Sequence, residues 1–308
     1  MNFTPEDFIH PEDRAAREQL EAIPGLGLVV KTLMRASTEQ LIHGTNMAEK
    51  IRLGPQQLPK IYGILPPICE RLGIGEPEFY LEMSPGPNAY VIGDTRIALT
   101  VTSGLLDYLE PDEVQAVVAH ECGHIACRHM LYHTMAMLLR WGSSTLGPLG
   151  ALSEPLRLAL NYWSRRSEFS VDRAGAMVMG GPTPVIETMI RLSGGPKALT
   201  KDINLDLYLA QADAYDQLRQ ASGWDKLLQN TAIMNSTHPF PAVRAREIKR
   251  WCDGEQFHRL MQAVHAQTGT PSTAGAHCSS CKTIIQPAWR FCMHCGAPLT
   301  SVPPTSPA

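Results

Sequence analysis

A chain of 308 residues accommodates one large domain, or a medium domain with small modules, and its 44% apolar content suffices for a real core. A formal net charge of −3 excludes strong electrostatic steering toward nucleic acid or an anionic membrane. The opening stretch MNFTPEDFIHPEDR has no apolar h-region, so no secretory signal is visible in it.

Residues 1–58 read as a helical N-terminal region. Pro11, Glu12 and Asp13 suit a first helical turn, and 29–35 and 39–51 keep helical spacing. A further helix is expected over 59–72. Short strands follow at 78–83, 88–92 and 96–101, the last two joined by the turn residues Gly93 and Asp94. A short helix over 103–109 leads into the strongest helical segment, 111–129. There Pro111 suits the first helical position, Asp112 and Glu113 complement the positive helix end, and Val114, Val117, Val118 and Ile125 form one apolar face. The greasiest region, 130–163, falls short of the about 20 apolar residues of a membrane span. It is cut by Arg140, Glu154 and Arg157 and broken by Pro148 and Pro155. It reads as a buried helical hairpin, with docking on a membrane surface as the alternative. Helices are expected at 161–179, ended by Gly180, Gly181 and Pro182, and at 184–192 and 205–218. The fold class is α+β: mostly helical, with a small sheet.

His120, Glu121 and His124 form an HExxH motif. Residues four apart share a helix face, so both imidazoles can meet one Zn²⁺, and Glu121 beside them can take a proton from the attacking water. A catalytic zinc takes three protein ligands, so one more is needed. SRRSEFSVDRAGA offers Glu168 as that ligand and Asp172, four residues on, as acceptor for the distal nitrogen of a zinc histidine. A solvated helix face is the plain alternative for such a pair. Cys127 reads as a small packed residue, and His129 and His133 as flanking the helix end rather than binding metal.

Four segments in this order, NAYVIGDTRIALTVTSGLL, EVQAVVAHECGHIACRH, EFSVDRAGA and THPFPAVRAREI, resemble the M48 family of gluzincin metallopeptidases. That family includes the membrane-bound heat-shock protease type and the CAAX prenyl protease type. The resemblance covers roughly residues 59–250. It implies a motif helix packed under a small sheet, a second helix carrying the glutamate ligand, and endopeptidase activity. The chain looks like a soluble branch, which makes prenyl-CAAX processing doubtful. The resemblance further implies that Asn88, Ala89 and Tyr90 lie on a strand lining the cleft, beside an extended substrate. It makes His238 a donor to the oxyanion of the tetrahedral intermediate, and gives Arg244 the part of orienting His238 or holding substrate. A structural turn is the plain alternative for that last segment.

The metallopeptidase domain is expected over 59–266, with a polar linker at 267–277 and a disordered tail at 299–308. Between them, 278–298 carries Cys278, Cys281, Cys292 and Cys295, two CxxC pairs that resemble a zinc ribbon around a structural zinc. Paired CxxC without a secretory signal points to a reducing compartment, and the cytoplasm is the default, with peripheral membrane contact left open. The reading is therefore a zinc-dependent endopeptidase with one catalytic and one structural zinc. It acts on extended polypeptide, and its ribbon offers a contact for a protein partner. The alternative is a latent or non-hydrolytic zinc-binding scaffold whose ribbon recruits partners.

Overall fold

The structure, a computed structural model, describes residues 2–26, 39–142, 150–221, 240–267 and 279–280. The helix expected at 29–35, His238, the four ribbon cysteines and the tail lie outside the described residues.

The chain opens with α1 (Pro5–Phe8) and α2 (Pro11–Glu21), then α3 (Glu39–Glu49) and the short strand β1 (Ile51–Arg52). The helix expected over 59–72 is two pieces, α4 (Pro59–Tyr62) and α5 (Leu65–Leu72), separated at Gly63. The strands are β2 (Glu78–Glu82), β3 (Ala89–Ile92) and β4 (Ala98–Thr102), followed by α6 (Ser103–Tyr108) and α7 (Pro111–Ala126). Next come α8 (Met130–Gly142) and α9 (Gly150–Met179). The helix expected to begin at 161 is thus already present at Gly150 and runs through Pro155. After it come α10 (Thr183–Gly194), α11 (Lys197–Thr200), α12 (Leu205–Ala221), α13 (Pro241–Cys252) and α14 (Glu255–Gln267). The described chain is therefore mostly helical around a small mixed sheet, the expected class.

The sheet runs in the order β1-β2-β4-β3. β4 pairs parallel with β2 and antiparallel with β3, and all five of its residues are buried. Alternation splits its side chains between two layers. Phe79, Leu99 and Val101 enter the main core with Val118, Ala119 and Met177, whereas Tyr80, Ile92 and Ala98 form a smaller cluster with Ile42 of α3.

α7 is the centre of the molecule. Pro111 begins it, and the Glu113 side chain accepts the Glu110 N–H at 2.8 Å. Glu113 does more than complement the helix end: it is buried and pairs with Arg191 of α10, Oε1 to Nε 2.9 Å. Gly123 sets the spacing to α9. A Cβ there would lie 2.8 Å from the Ala174 Cβ and 3.1 Å from the Val171 Cβ. The two helices thus meet at backbone distance on the face that carries the motif.

Candidate active site

A cavity of about 400 Å³ lies between β3 and the helices α7, α9, α10 and α13. His120, Glu121, Glu168, Asp172 and Arg244 line it, and so do Asn88 and Ala89. Its apolar wall includes Val117, Val185, Met189 and Leu192.

His120, His124 and Glu168 offer ligand atoms that all lie within 4.8 Å of one another. His120 Nε2 is 3.4 Å from Glu168 Oε2, and His124 Nε2 is 3.5 Å from Glu168 Oε1. Two donors bound to one tetrahedral zinc at about 2.1 Å lie about 3.4 Å apart, and two imidazoles with one carboxylate are donors that zinc accepts. The donor set and its spacing both fit such an ion. Glu168 is fully buried on α9, where an ionised carboxylate requires nearby positive charge.

Behind His120 sits a second layer. Its Nδ1 lies 3.1 Å from Asp172 Oδ1. Arg244 donates to both Asp172 oxygens, Nε to Oδ2 at 2.8 Å and Nη2 to Oδ1 at 2.6 Å, and its Nη1 is 3.3 Å from Glu168 Oε2. Burial pushes the Asp172 carboxyl up, but the charge and hydrogen bonds of Arg244, with those of His120, outweigh it and hold it below the usual range. Burial likewise lowers His120, yet its bonds to Asp172 and Glu168 and the Glu168 charge raise it to about 10. His124 is pushed down to about 4, burial outweighing Glu168.

The structure brings Asn88, Ala89, His120, Glu121, Glu168, Asp172 and Arg244 to one cavity. It does not bring in the Tyr90 side chain. Tyr90 follows Ala89 on β3, so its ring projects from the opposite face, where its hydroxyl donates to Glu82 Oε2 at 2.6 Å and accepts from Lys50 Nζ at 2.6 Å. β3 is an edge of the sheet among the described residues. Thr102 N–H donates to Asn88 O at 3.0 Å. Antiparallel alternation then directs the main-chain groups of Ala89 and Val91 outward, to the open edge.

Other expectations concern nearby side chains. Cys127 is a buried free thiol. Arg244, expected to orient His238 or hold substrate, lines the cavity and grips Asp172. His129 does flank the helix end, but its ring contacts His124, Nδ1 to Nδ1 at 3.1 Å, and its Nε2 lies 3.1 Å from Asp13 Oδ2. Sequence reasoning missed both Asp13 and this role of His129. The one local sign was the unbroken HIACRH run after the motif. Among the described residues no helix is long and apolar enough to cross a membrane.

The profile of Peptidase family M48 matches residues 55–252. The chain is 33% identical over 267 residues to the Plastoglobule-localized metallopeptidase 48, chloroplastic, of Arabidopsis thaliana, covering 85% of this chain and 77% of that protein. It is 26% identical over 228 residues to Protease HtpX homolog 2 of Methanosarcina mazei, covering 63% of this chain and 73% of that one. No solved structure matches it. The family match runs through β2, β3 and β4, the motif helix α7, the glutamate helix α9 and the arginine helix α13, which together build the cavity, and this chain belongs to peptidase family M48.

Proposed function

We propose that the protein is a zinc-dependent endopeptidase that cleaves polypeptide chains presented in extended form. Membership of a metallopeptidase family supports the reaction class. The observation that carries the reading is the convergence of His120, His124 and Glu168 beside Glu121, in a cavity walled by an open strand edge.

His120, His124 and Glu168 would hold the zinc, which when bound supplies a water of lowered pKa and polarises the scissile carbonyl. Glu121, next to the ligand histidine on the cavity wall, takes a proton from the attacking water and passes it to the leaving amine. Asp172 accepts from His120 Nδ1 and fixes its tautomer, and Arg244 holds Asp172 in place. Asn88 and Ala89 sit where a substrate strand would pair, with main-chain bonds that ask little of its sequence. Tyr90 contributes its place on that strand rather than its ring. His238 joins this reading as the oxyanion donor through the family resemblance alone. The structural zinc at Cys278, Cys281, Cys292 and Cys295 rests on the spacing of the two CxxC pairs, and the protein partner at that ribbon goes with it. A reducing, cytoplasmic setting with peripheral membrane contact is also proposed. The plant relative is named for the plastoglobule.

The test is cleavage of an unfolded protein substrate by the pure full chain, with and without chelator. Cleavage should need metal. Glu121→Gln should abolish it while retaining the catalytic zinc. Loss of that zinc from a folded Glu121→Gln protein would contradict the base assignment. A zinc-loaded wild type without hydrolytic activity would favour the scaffold alternative.

A further inference from the structure

The two candidate ligand histidines differ in what stands behind them. Asp172 backs His120 directly. Behind His124 stands another imidazole. α7 ends at Ala126, and the chain reverses through Arg128, a non-glycine residue with φ of 57°. Arg128 N–H then donates to Ile125 O at 3.0 Å, and His129 N–H to His124 O at 2.9 Å, which closes the helix in a Schellman turn. That turn folds His129 back under His124, where it is fully buried.

Each nitrogen in this chain of groups faces one partner. His124 Nε2 faces Glu168, and His124 Nδ1 faces His129 Nδ1 at 3.1 Å. His129 Nε2 faces Asp13 Oδ2 at 3.1 Å. Asp13, fully buried on α2, also accepts from Trp163 Nε1 at 3.1 Å and from Ser170 Oγ at 2.5 Å, both on α9. With a metal on His124 Nε2, one proton arrangement serves every contact. His124 Nδ1–H donates to His129 Nδ1, and His129 Nε2–H lies against the Asp13 carboxylate as a close electrostatic contact rather than an aligned hydrogen bond.

We propose that Asp13 and His129 are positioning residues for the metal centre: a buried carboxylate–imidazole relay fixes the tautomer, orientation and basicity of His124 from the N-terminal helix α2. The inference rests on His124 being a metal ligand. Asp13 and His129 do for His124 what Asp172 does for His120, through one more ring. A carboxylate behind a metal-bound imidazole makes it a stronger ligand, and outer partners of this kind support metal affinity by about 10–100-fold. The relay also makes α2, which precedes the expected catalytic domain, a part of the metal site. A rival use of the same residues is a second metal held by His124, His129 and His133, whose ligand atoms lie within 4.8 Å of one another. The relay is favoured because the buried His129 Nε2 has the Asp13 carboxylate 3.1 Å away, within ion-pair reach though off the hydrogen-bond line, and His133 Nε2 lies 3.1 Å from Ser167 Oγ.

The experiment uses the full chain loaded with Co²⁺, with affinity read by chelator competition and geometry by the visible d–d bands. Spectra are read as differences from the His124→Gln protein, which subtracts the bands of any thiolate-bound Co²⁺. Asp13→Asn, which permits the wrong tautomer at His129, should weaken metal binding about 10–100-fold and shift the d–d bands. His129→Gln should do the same, and the double variant should be no worse than the weaker single. If Asp13→Asn does not fold, His129→Gln alone decides. His124→Gln is the control for the underlying reading: normal affinity there removes His124 from the ligand set and the relay with it. Loss of metal in His124→Gln, beside wild-type affinity and spectrum in folded Asp13→Asn or His129→Gln, overturns the relay alone. Loss of one metal equivalent in His133→Gln would establish the three-histidine site in its place, whereas an unchanged count supports the relay.

Discussion

Arg244 grips Asp172 with both arms of its guanidinium, at 2.8 Å and 2.6 Å, while Asp172 faces the Nδ1 of His120. The fork lets one residue of α13 hold the carboxylate in plane behind the histidine, and its third nitrogen lies 3.3 Å from Glu168. A lysine would keep the charge and lose the fork. Arg244→Lys is expected to weaken metal binding by roughly 10-fold or more and to lower kcat/KM with it. Chelator competition checks this, and unchanged affinity in a folded variant would leave Arg244 outside the support of the metal site.

Gly123 is expected to be intolerant of the smallest added side chain. On an exposed helix, Gly→Ala gains about 1 kcal/mol of helix propensity. At this position the new methyl meets Ala174 at 2.8 Å and forces α7 from α9, a cost of about 1–3 kcal/mol of overpacking. Gly123→Ala should therefore lower Tm and metal affinity together, and adding Ala174→Gly should recover part of the metal affinity. A stabilised single variant would show that the helix contact has room to spare.

Ala89 offers a test of substrate pairing. Its N–H points to the open edge, away from β4, so proline there removes a donor to substrate without removing one from the sheet. Ala89→Pro should keep Tm within a few degrees and reduce kcat/KM by roughly 10-fold, the loss of about 1.4 kcal/mol of transition-state binding. Unimpaired cleavage of an unfolded substrate would rule out pairing at this position.

His10 should make stability fall in mild acid. Its Nδ1 accepts the Glu12 N–H at 3.2 Å and caps α2, which needs an unprotonated nitrogen. Burial, then the charge of Arg173, lowers its pKa from 6.5 to about 4. Between those values the unfolded chain binds more protons than the folded one. The contribution is thus complete above pH 6.5 and is lost as pH falls toward 4. His10→Asn keeps a capping acceptor and cannot titrate. From pH 7 to pH 4 the wild type should lose roughly 1–3 kcal/mol more than this variant in urea unfolding. Parallel pH profiles would show that His10 is not a titrating cap.

Arg128 sits in the left-handed conformation that glycine adopts at little cost. Arg128→Gly should retain metal affinity and gain up to about 1 kcal/mol in stability, whereas Arg128→Val should lose both as the turn under His124 deforms. Thermal unfolding and chelator competition on the two variants decide it. Equal behaviour would mean that the turn is held by its neighbours rather than by its own conformation.

The features that the sequence alone determined are those encoded within a few residues. HExxH and the Glu168–Asp172 pair carry their meaning in helical spacing, because side chains four apart must share a face. Pro111 with Asp112 and Glu113 marked the start of α7, and alternation marked β2, β3 and β4 to within about two residues, whereas β1 fell at the end of the helix expected over 39–51. The same alternation, applied strictly, would have turned the Tyr90 ring away from the cavity. Local signals misled at Pro155, read as a break although α9 runs through it, and left α13 and α14 without a stated helix. Tertiary structure alone decided the rest: the parallel pairing of β2 with β4, the Glu113–Arg191 pair, the grip of Arg244 on Asp172, and the approach of Asp13 to His129. These partners are far apart in the chain. No local periodicity specifies which distant carboxylate comes to face a given imidazole. That follows from how closely α7 can lie on α9, and so from Gly123 and the side chains packed around it.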